Sequence, residues 1–457
     1  MAISASRRLT RRSLLRLGSG AGLGLLGATA LAACAGPGGS GAKTSSVSWL
    51  VRTGLIENKW EQQTAVPDFQ KANPNIKVNL VIAPGGNPFD QKVFTLYAAG
   101  QPIDVWSHWG NAGFGEFASR DMLANVQPYV TTDHYDLNVF LPNLVDLYRR
   151  DGKLLALPND TTFGMPMFYN VAILKQAGVA PPPTNWDQPW SWQQWTEAGK
   201  KVTKNYGSAS ATYGLSMSTD LQLVARLGGN NLFSDQAAKT GIAKPGDYHA
   251  NTPETLRGVQ AVHDLIFQEK VMPSPQLSSA ITSSGLDPFR GQKLGINLDG
   301  GWQYWSYKPL IHNFTWAVGA DPKLTTNTTT AYTDPWMLAL HSREPEAAWT
   351  FMKYLLSEPG QTAYTIATGA PPCRTTVVEK WWQEFTQPTG LTVAQLKEVT
   401  LGALQHSYES YNHLLAGYGQ IISAETQSMN NVWDGTATPQ EGLALAEQRV
   451  NQVLSTL

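Results

Sequence analysis

Residues 47–106, VSWLVRTGLIENKWEQQTAVPDFQKANPNIKVNLVIAPGGNPFDQKVFTLYAAGQPIDVW, switch back and forth between two hydrophobic periods. Residues 47–51 read as a short buried strand. Residues 57–72 read as a helix that ends before Asn73-Pro74. Residues 76–82 alternate like a strand, 88–99 form a second helix stopped by Gly100, and 103–106 give a third strand. Strand, helix, strand, helix, strand predicts an α/β fold with a parallel, doubly wound sheet. Ligands of such sheets bind beyond the carboxyl ends of the strands. The segments after Val51 and Trp106 are therefore the ones to examine for function.

The whole chain fits that fold class. Its 457 residues are 42% hydrophobic, 10% aromatic and 15% charged, which excludes a disordered chain, a coiled coil and a collagen-like repeat. With 34 Lys+Arg against 35 Asp+Glu, there is no basic excess for nucleic acid or a membrane surface. Two cysteines, Cys34 and Cys373, make neither a disulfide framework nor a thiolate zinc site. Sixteen tryptophans imply either large cores or a site that stacks on something flat. A chain this long divides into two lobes.

The N-terminus reads as an address. Residues 1–16 carry five arginines and no acid, and 17–33 are small and apolar, the layout of an export signal across 1–33. Arg11 and Arg12, followed by Ser13-Leu14-Leu15, resemble a twin-arginine signal, with general export the alternative. Leu31-Ala32-Ala33-Cys34 resembles a bacterial lipobox, with Cys34 as the lipidated first residue of the mature chain. Residues 34–46 form a Gly/Ser-rich tether with a reach of about 20 Å. The expected location is the outer face of the bacterial cytoplasmic membrane, toward either a periplasm or a cell wall.

Further along, Glu344-Pro345-Glu346 opens a helix whose apolar face carries Ala348, Phe351, Met352 and Leu355. Thr438-Pro439-Gln440-Glu441 is a capping box before a final helix bearing Leu443, Val450, Val453 and Leu454. Residues 181–183 and 325–330 read as loop or turn. Enzyme signatures are few. Gly22-x-Gly24-x-x-Gly27 matches a dinucleotide fingerprint but lies within the export signal with no strand before it. No phosphate loop, nucleophile elbow or H-E-x-x-H helix occurs. The eight histidines show no metal-ligand spacing, so neither metal nor other cofactor is expected. Cys373, in a Pro-rich stretch, reads as a buried inert thiol.

Several segments together resemble the extracellular solute-binding proteins of ABC importers, in particular the sugar-binding, maltose-binding-protein-like group. Ala98-Ala99-Gly100-Gln101-Pro102-Ile103-Asp104-Val105 resembles the family's A-A-G-x-x-P-D-V, with one residue between Pro and Asp. Residues 151–158, DGKLLALP, resemble D-G-K-x-Y-A-L-P. Phe168-Tyr169-Asn170 and then Leu174-Lys175-Gln176-Ala177-Gly178 resemble Y-Y-N followed by L-K-K-A-G. Pro182-Pro183-Thr184 with Trp186-Asp187 resembles a helix opening, here with insertions. Residues 289–296, FRGQKLGI, resemble the F-x-x-G-K-A-A-M strand, with Gly300-Gly301-Trp302 after it. Residues 435–441 resemble the closing helix. Each motif is weak alone, but their order spans nearly the whole mature chain.

The resemblance implies a periplasmic-binding-protein fold of two α/β lobes, joined by three hinge crossovers around a central ligand cleft. The lobes are expected at 45–155 plus 336–377 and at 160–330 plus 378–457. A carbohydrate, mono- or oligosaccharide, is the expected ligand, captured by hinge closure and delivered to membrane permease subunits. The chain is expected to be a monomer and not an enzyme. Sugars present C–H faces to aromatic rings and hydroxyl edges to carboxylates, amides and Arg. The expected contacts are Trp109 and Asn111 after the third strand, and Arg52 after the first. The others are Asp160 at the first crossover, Asp220 at a strand end, Trp336 at the second crossover, Arg374 near the third, and Tyr411 in the late helices. Trp302, after paired glycines that let backbone approach a ligand, and Asp299 before them are the expected second-lobe platform. Competing readings are core packing for Trp106 with Trp109, for Trp302 and for Tyr411, a surface ion pair for Arg52, a hinge role for Asp160 and a helix cap for Asp220. Two other functions remain open: a cell-tethered glycoside hydrolase, which needs two carboxylates at a fixed separation, and a polyamine-binding protein with an acidic, aromatic cage. A non-transporting sensor or adhesion lipoprotein is a third.

Overall fold

The computed structural model describes residues 44–109, 112–282 and 287–457. The export signal, Cys34, most of the tether and Asn111 lie outside the described residues. Among the described residues, nine strands build the two larger sheets: β1 Ser45–Arg52, β2 Ile76–Ala83, β3 Val105–Trp106, β4 Ala156–Thr161, β5 Met167–Asn170, β6 Tyr213–Met217, β7 Leu294–Leu298, β8 Trp316–Gly319 and β9 Thr333–Leu338. The first sheet runs β2-β1-β3-β9-β4 and the second β8-β5-β7-β6. Ser45 and Ser46 belong to β1, so the strand begins two residues inside the expected tether.

The opening segment folds as its periodicity predicts. β1 pairs in parallel with β2, Ser45 opposite Ile76, and with β3, Trp49 opposite Val105. As an interior strand with helices on both faces, β1 buries Val47, Trp49, Leu50 and Val51 alike. β9 closes the sheet antiparallel to both β3 and β4. The helix expected at 57–72 starts earlier, at Leu55, and runs through a wider π-type turn over Glu61–Ala65 into Val66–Ala72. Pro67 lies just past that turn. Its ring has no N–H to donate and crowds the preceding turn, which the wider spacing accommodates. The second helix spans Asn87–Ala98. In the helix Pro345–Leu355, Ala348, Phe351, Met352 and Leu355 are buried. Thr438 and Glu441 form the reciprocal capping box of Pro439–Leu454.

Residues 325–330 depart from the loop expectation. Thr329–Ala331 is a buried strand, parallel to Ser407–Glu409. Local turn composition gives way here to β-branched side chains with a partner strand.

The chain passes between the sheets three times: from β4 to β5, from β8 through Thr329–Ala331 to β9, and from 370–373, beside β4, into the helix Thr375–Thr389. That helix carries Trp381 and Phe385 onto Tyr304 and Trp316 of the second lobe, with Trp381–Tyr304 centroids 5.0 Å apart and Trp316–Phe385 6.3 Å apart. Trp49, Trp106, Trp195, Trp316, Trp336, Trp349 and Trp381 are all fully buried. The tryptophan excess therefore serves mainly the cores. Cys373 is fully buried and burial pushes its thiol well above the usual range. No helix among the described residues is long and apolar enough to cross a membrane.

Candidate functional site

Arg52, the last residue of β1, and Trp109, three residues beyond β3, meet at the carboxyl end of the first sheet. The Arg52 guanidinium lies 5.6 Å from the Trp109 ring centroid and 5.6 Å from that of Trp305, in the second-lobe helix Gln303–Leu310. Its Nη2 pairs with Glu57 Oε1 at 3.1 Å. Trp109 stands edge-on against Phe89 at 5.6 Å and Trp336 at 5.7 Å, and is itself only half-buried. On the other side of the junction, Trp302 is half-buried and edge-on to Tyr332 at 5.2 Å. Tyr332 in turn meets His413 at 5.5 Å.

Asp299 and the glycines after it hold the platform in a way the sequence does not reveal. The Asp299 carboxylate accepts from Gly300 N at 2.7 Å and Gln303 Nε2 at 2.6 Å, so it shapes the turn into its own helix. Burial raises its pKa against those bonds. The glycine pair makes close approaches within the chain itself. A Cβ on Gly301 would stand 1.7 Å from the Thr162 carbonyl oxygen, and one on Gly300 would strike the Trp302 ring. The pair thus lets the platform seat on the first crossover.

Five expected contact residues are engaged elsewhere in this structure. Asp160 is 2% exposed and accepts from Asn159 Nδ2 at 2.8 Å and Tyr364 OH at 3.2 Å. It lies opposite Asp334 in the β4–β9 pairing. Burial first, and then the Asp334 charge, hold its carboxyl well above the usual range. Asp220 is the N-cap of Leu221–Gly228, taking Gln222 N at 3.1 Å and Tyr332 OH at 3.1 Å. Trp336 is buried between Trp49, at 5.6 Å, and Trp109, and so backs the site rather than covering it. Arg374 starts the helix Thr375–Thr389, and its Nη1 donates to the Leu356 carbonyl at 3.2 Å. Tyr411 is buried in the second-lobe core against Phe233 at 4.9 Å and the Arg226 guanidinium at 4.7 Å. Tyr364, Leu356 and Phe233, which engage Asp160, Arg374 and Tyr411, lie well apart from them along the chain, and no one-dimensional pattern records them.

The fold also brings in residues that sequence reasoning did not select. Trp305 is one helical turn from Trp302, a spacing that could have suggested it. His108 Nε2 is 3.0 Å and His413 Nε2 3.6 Å from Asp334 Oδ1. Glu409 contacts His413 Nδ1 and accepts from Thr333 N at 2.8 Å and Thr333 Oγ1 at 2.9 Å. Burial pushes Glu409 up to about 8 and His413 well below the imidazole range. Burial opposes ionisation of Asp334 as well, but His108, His413 and Arg52 together draw its carboxyl below the usual value. Nothing in the chain announced that His413 would meet His108.

Two lobes, three crossovers and a polar, aromatic junction define a hinged binding protein. The chain belongs to the bacterial extracellular solute-binding proteins, whose family model matches residues 54–362. The arabinooligosaccharide-binding protein of Bacillus subtilis is 28% identical over 243 residues, 52% of this chain and 51% of that protein. The match thus spans about half of that relative's length. Among solved structures, an ABC substrate-binding protein of Listeria monocytogenes in complex with cycloalternan superposes with a TM-score of 0.74. It is 19% identical, with 90% of this chain and 99% of that chain covered. The maltose-bound MalE3 of T. maritima gives a TM-score of 0.69 at 18% identity, covering 90% and 100%.

Proposed function

We propose that the protein is the substrate-binding component of an ABC importer and captures a carbohydrate between its lobes. Hinge closure secures the ligand, and the closed form delivers it to the membrane permease. The observation that carries this reading is the junction itself. Half-buried Trp109 on one lobe and Trp302 and Trp305 on the other stand around polar groups that can bond hydroxyls: Arg52, His108 and Asp334. Flat faces for C–H surfaces beside charged hydrogen-bonding groups are what a neutral sugar requires. The relatives named above carry oligosaccharides in their descriptions, in keeping with this chemistry. A polyamine fits less well, because the Arg52 cation already occupies the space between Trp109 and Trp305.

In this reading Trp302 and Trp109 are the stacking platforms and Arg52 takes hydroxyls. Asn111, beside Trp109 in sequence, is a further contact. The lobes meet near the proposed boundaries, at 155–160, 330–336 and 377. The working form is a monomer, exported through the twin-arginine signal and tethered to the outer face of the cytoplasmic membrane by lipid on Cys34.

A thermal-shift screen of the purified, untagged protein against neutral mono- and oligosaccharides, sugar phosphates and polyamines tests the reading. A ligand at 100 times its dissociation constant stabilises by about 2.7 kcal/mol. The expected result is a rise in melting point with one neutral sugar, absent in Trp302→Ala while the ligand-free protein melts as a folded chain. A shift by a polyamine alone overturns the substrate class. Consumption of a glycan during the assay points instead to hydrolysis.

A further inference from the structure

We propose that His108, Asp334 and His413 form a binding site for a divalent first-row transition cation of the zinc class, at the base of the lobe junction. The inference does not rest on the carbohydrate reading, although the two share His108 and Asp334.

The three side chains offer one ligand atom each, all within 4.8 Å of one another. Asp334 Oδ1 is 3.0 Å from His108 Nε2 and 3.6 Å from His413 Nε2. Zinc bonds of about 2.0–2.2 Å in a tetrahedral shell set neighbouring ligand atoms about 3.4 Å apart, and the two observed separations bracket that value. The donor set is two imidazoles and one carboxylate. Imidazole selects Zn, Cu, Ni or Fe over the oxygen-seeking Ca and Mg. Three protein ligands leave a further position open, as in zinc sites that keep an exchangeable ligand.

The surroundings are those of a held ligand set. Glu409 contacts Nδ1 of His413, and Glu409 is itself fixed by the Thr333 N–H and hydroxyl. The Thr333 N–H also lies 3.1 Å from this Nδ1; once ionised, a carboxylate behind a histidine orients the ring and leaves the far nitrogen for the metal. His108 is 3% exposed. Its Nε2 lies 3.0 Å from Asp334 Oδ1, where one cation can bridge the two atoms, and its Nδ1 has no hydrogen-bond partner among the described residues. The backbone is shaped to bring the rings together. A Cβ on Gly113 would come within 1.9 Å of Asn412 O, and one on Gly115 within 2.1 Å of Leu414 O. The segment bearing His413 can therefore press against the first lobe, and its ring centroid comes to rest 3.9 Å from that of His108. The Asp334 side chain, 15% exposed, leaves an approach for the ion.

The test titrates Co2+ and Zn2+ into untagged, chelator-treated protein with no sugar present. It follows the visible Co2+ absorption, and Zn2+ by competition with a chromophoric chelator. The expected result is saturation at one ion per chain, loss of that binding in His108→Gln and His413→Gln, and binding weakened roughly 10–100-fold in Glu409→Gln. Equal binding by the parent and both histidine variants overturns the proposal, because the ion then sits elsewhere. No saturable binding by the parent also overturns it. Should a histidine variant not fold, the parent protein still decides. One equivalent of diamagnetic Zn2+ is expected to shift chiefly the proton resonances of two of the eight histidines. Any other pattern refutes the site.

Discussion

Arg52 stands between aromatic rings from both lobes, and its removal tests whether that contact favours closure. Trp109 and Trp305 both lie 5.6 Å from the guanidinium. The Trp109 contact is internal to the first lobe and survives opening, whereas the Trp305 contact crosses the junction. Only the second biases closure. Arg52 is 28% exposed at its side chain, so the lower cation–π range applies, about 0.5–1 kcal/mol. That corresponds to roughly a two- to fivefold change in the closed-to-open ratio. Arg52→Gln and Trp305→Ala should each shift the equilibrium by about this factor. The double variant should shift it little further, because the two substitutions remove the same contact. Fluorescent labels at exposed Lys77 and Glu197, one on each lobe, read lobe separation in the ligand-free protein. Strictly additive effects, with a coupling of zero within error, would refute the contact as a contributor to closure. In a matching cycle between Arg52 and Trp109, the coupling should appear in melting temperature but not in lobe separation.

Other outcomes follow from burial and close packing. Gly301→Ala places a Cβ 1.7 Å from the Thr162 carbonyl, so backbone must move. A loss of about 3 kcal/mol, at the upper end for overpacking, should lower the denaturant midpoint clearly, and an unchanged midpoint would contradict the packing described. Glu61 and Glu425 are both pushed by burial to about 8 from an ordinary 4.5. The folded chain then binds more protons than the unfolded one between about pH 4.5 and 8, so their contribution to stability is full below that window and is lost as pH rises through it. Melting temperature should fall from pH 5 to pH 8, and Glu425→Gln should flatten the slope; an unaltered slope counts against a raised Glu425. The Cys373 thiol should resist a water-soluble thiol reagent in the native protein and react promptly in denaturant. Fast native labelling of Cys373 would mean that the third crossover opens readily.

The local order of elements was legible in the sequence because periodicity is a local property. Residues 47–51, 76–82 and 103–106 gave strands in a parallel arrangement, and Pro345 and Thr438 marked true helix starts. The family was legible too, since short motifs such as residues 151–158 and 289–296 keep their order along the chain. Residue roles at the junction were much less so. Asp220 and Asp299 are the residue type a sugar site favours, but the same carboxylates cap helices and turns, and only the fold shows which bond is made. Gly300-Gly301 signalled a close approach, expected to be to a ligand, and in this structure the backbone neighbour is Thr162. Tyr411 and Trp336 were aromatic in suitable places, yet burial is set by elements that pack from elsewhere in the chain. The meeting of His108, Asp334 and His413 was decided by tertiary structure alone. The three lie on separate segments whose approach depends on a sheet crossing and on glycines at 113 and 115, so no spacing in the sequence could record it.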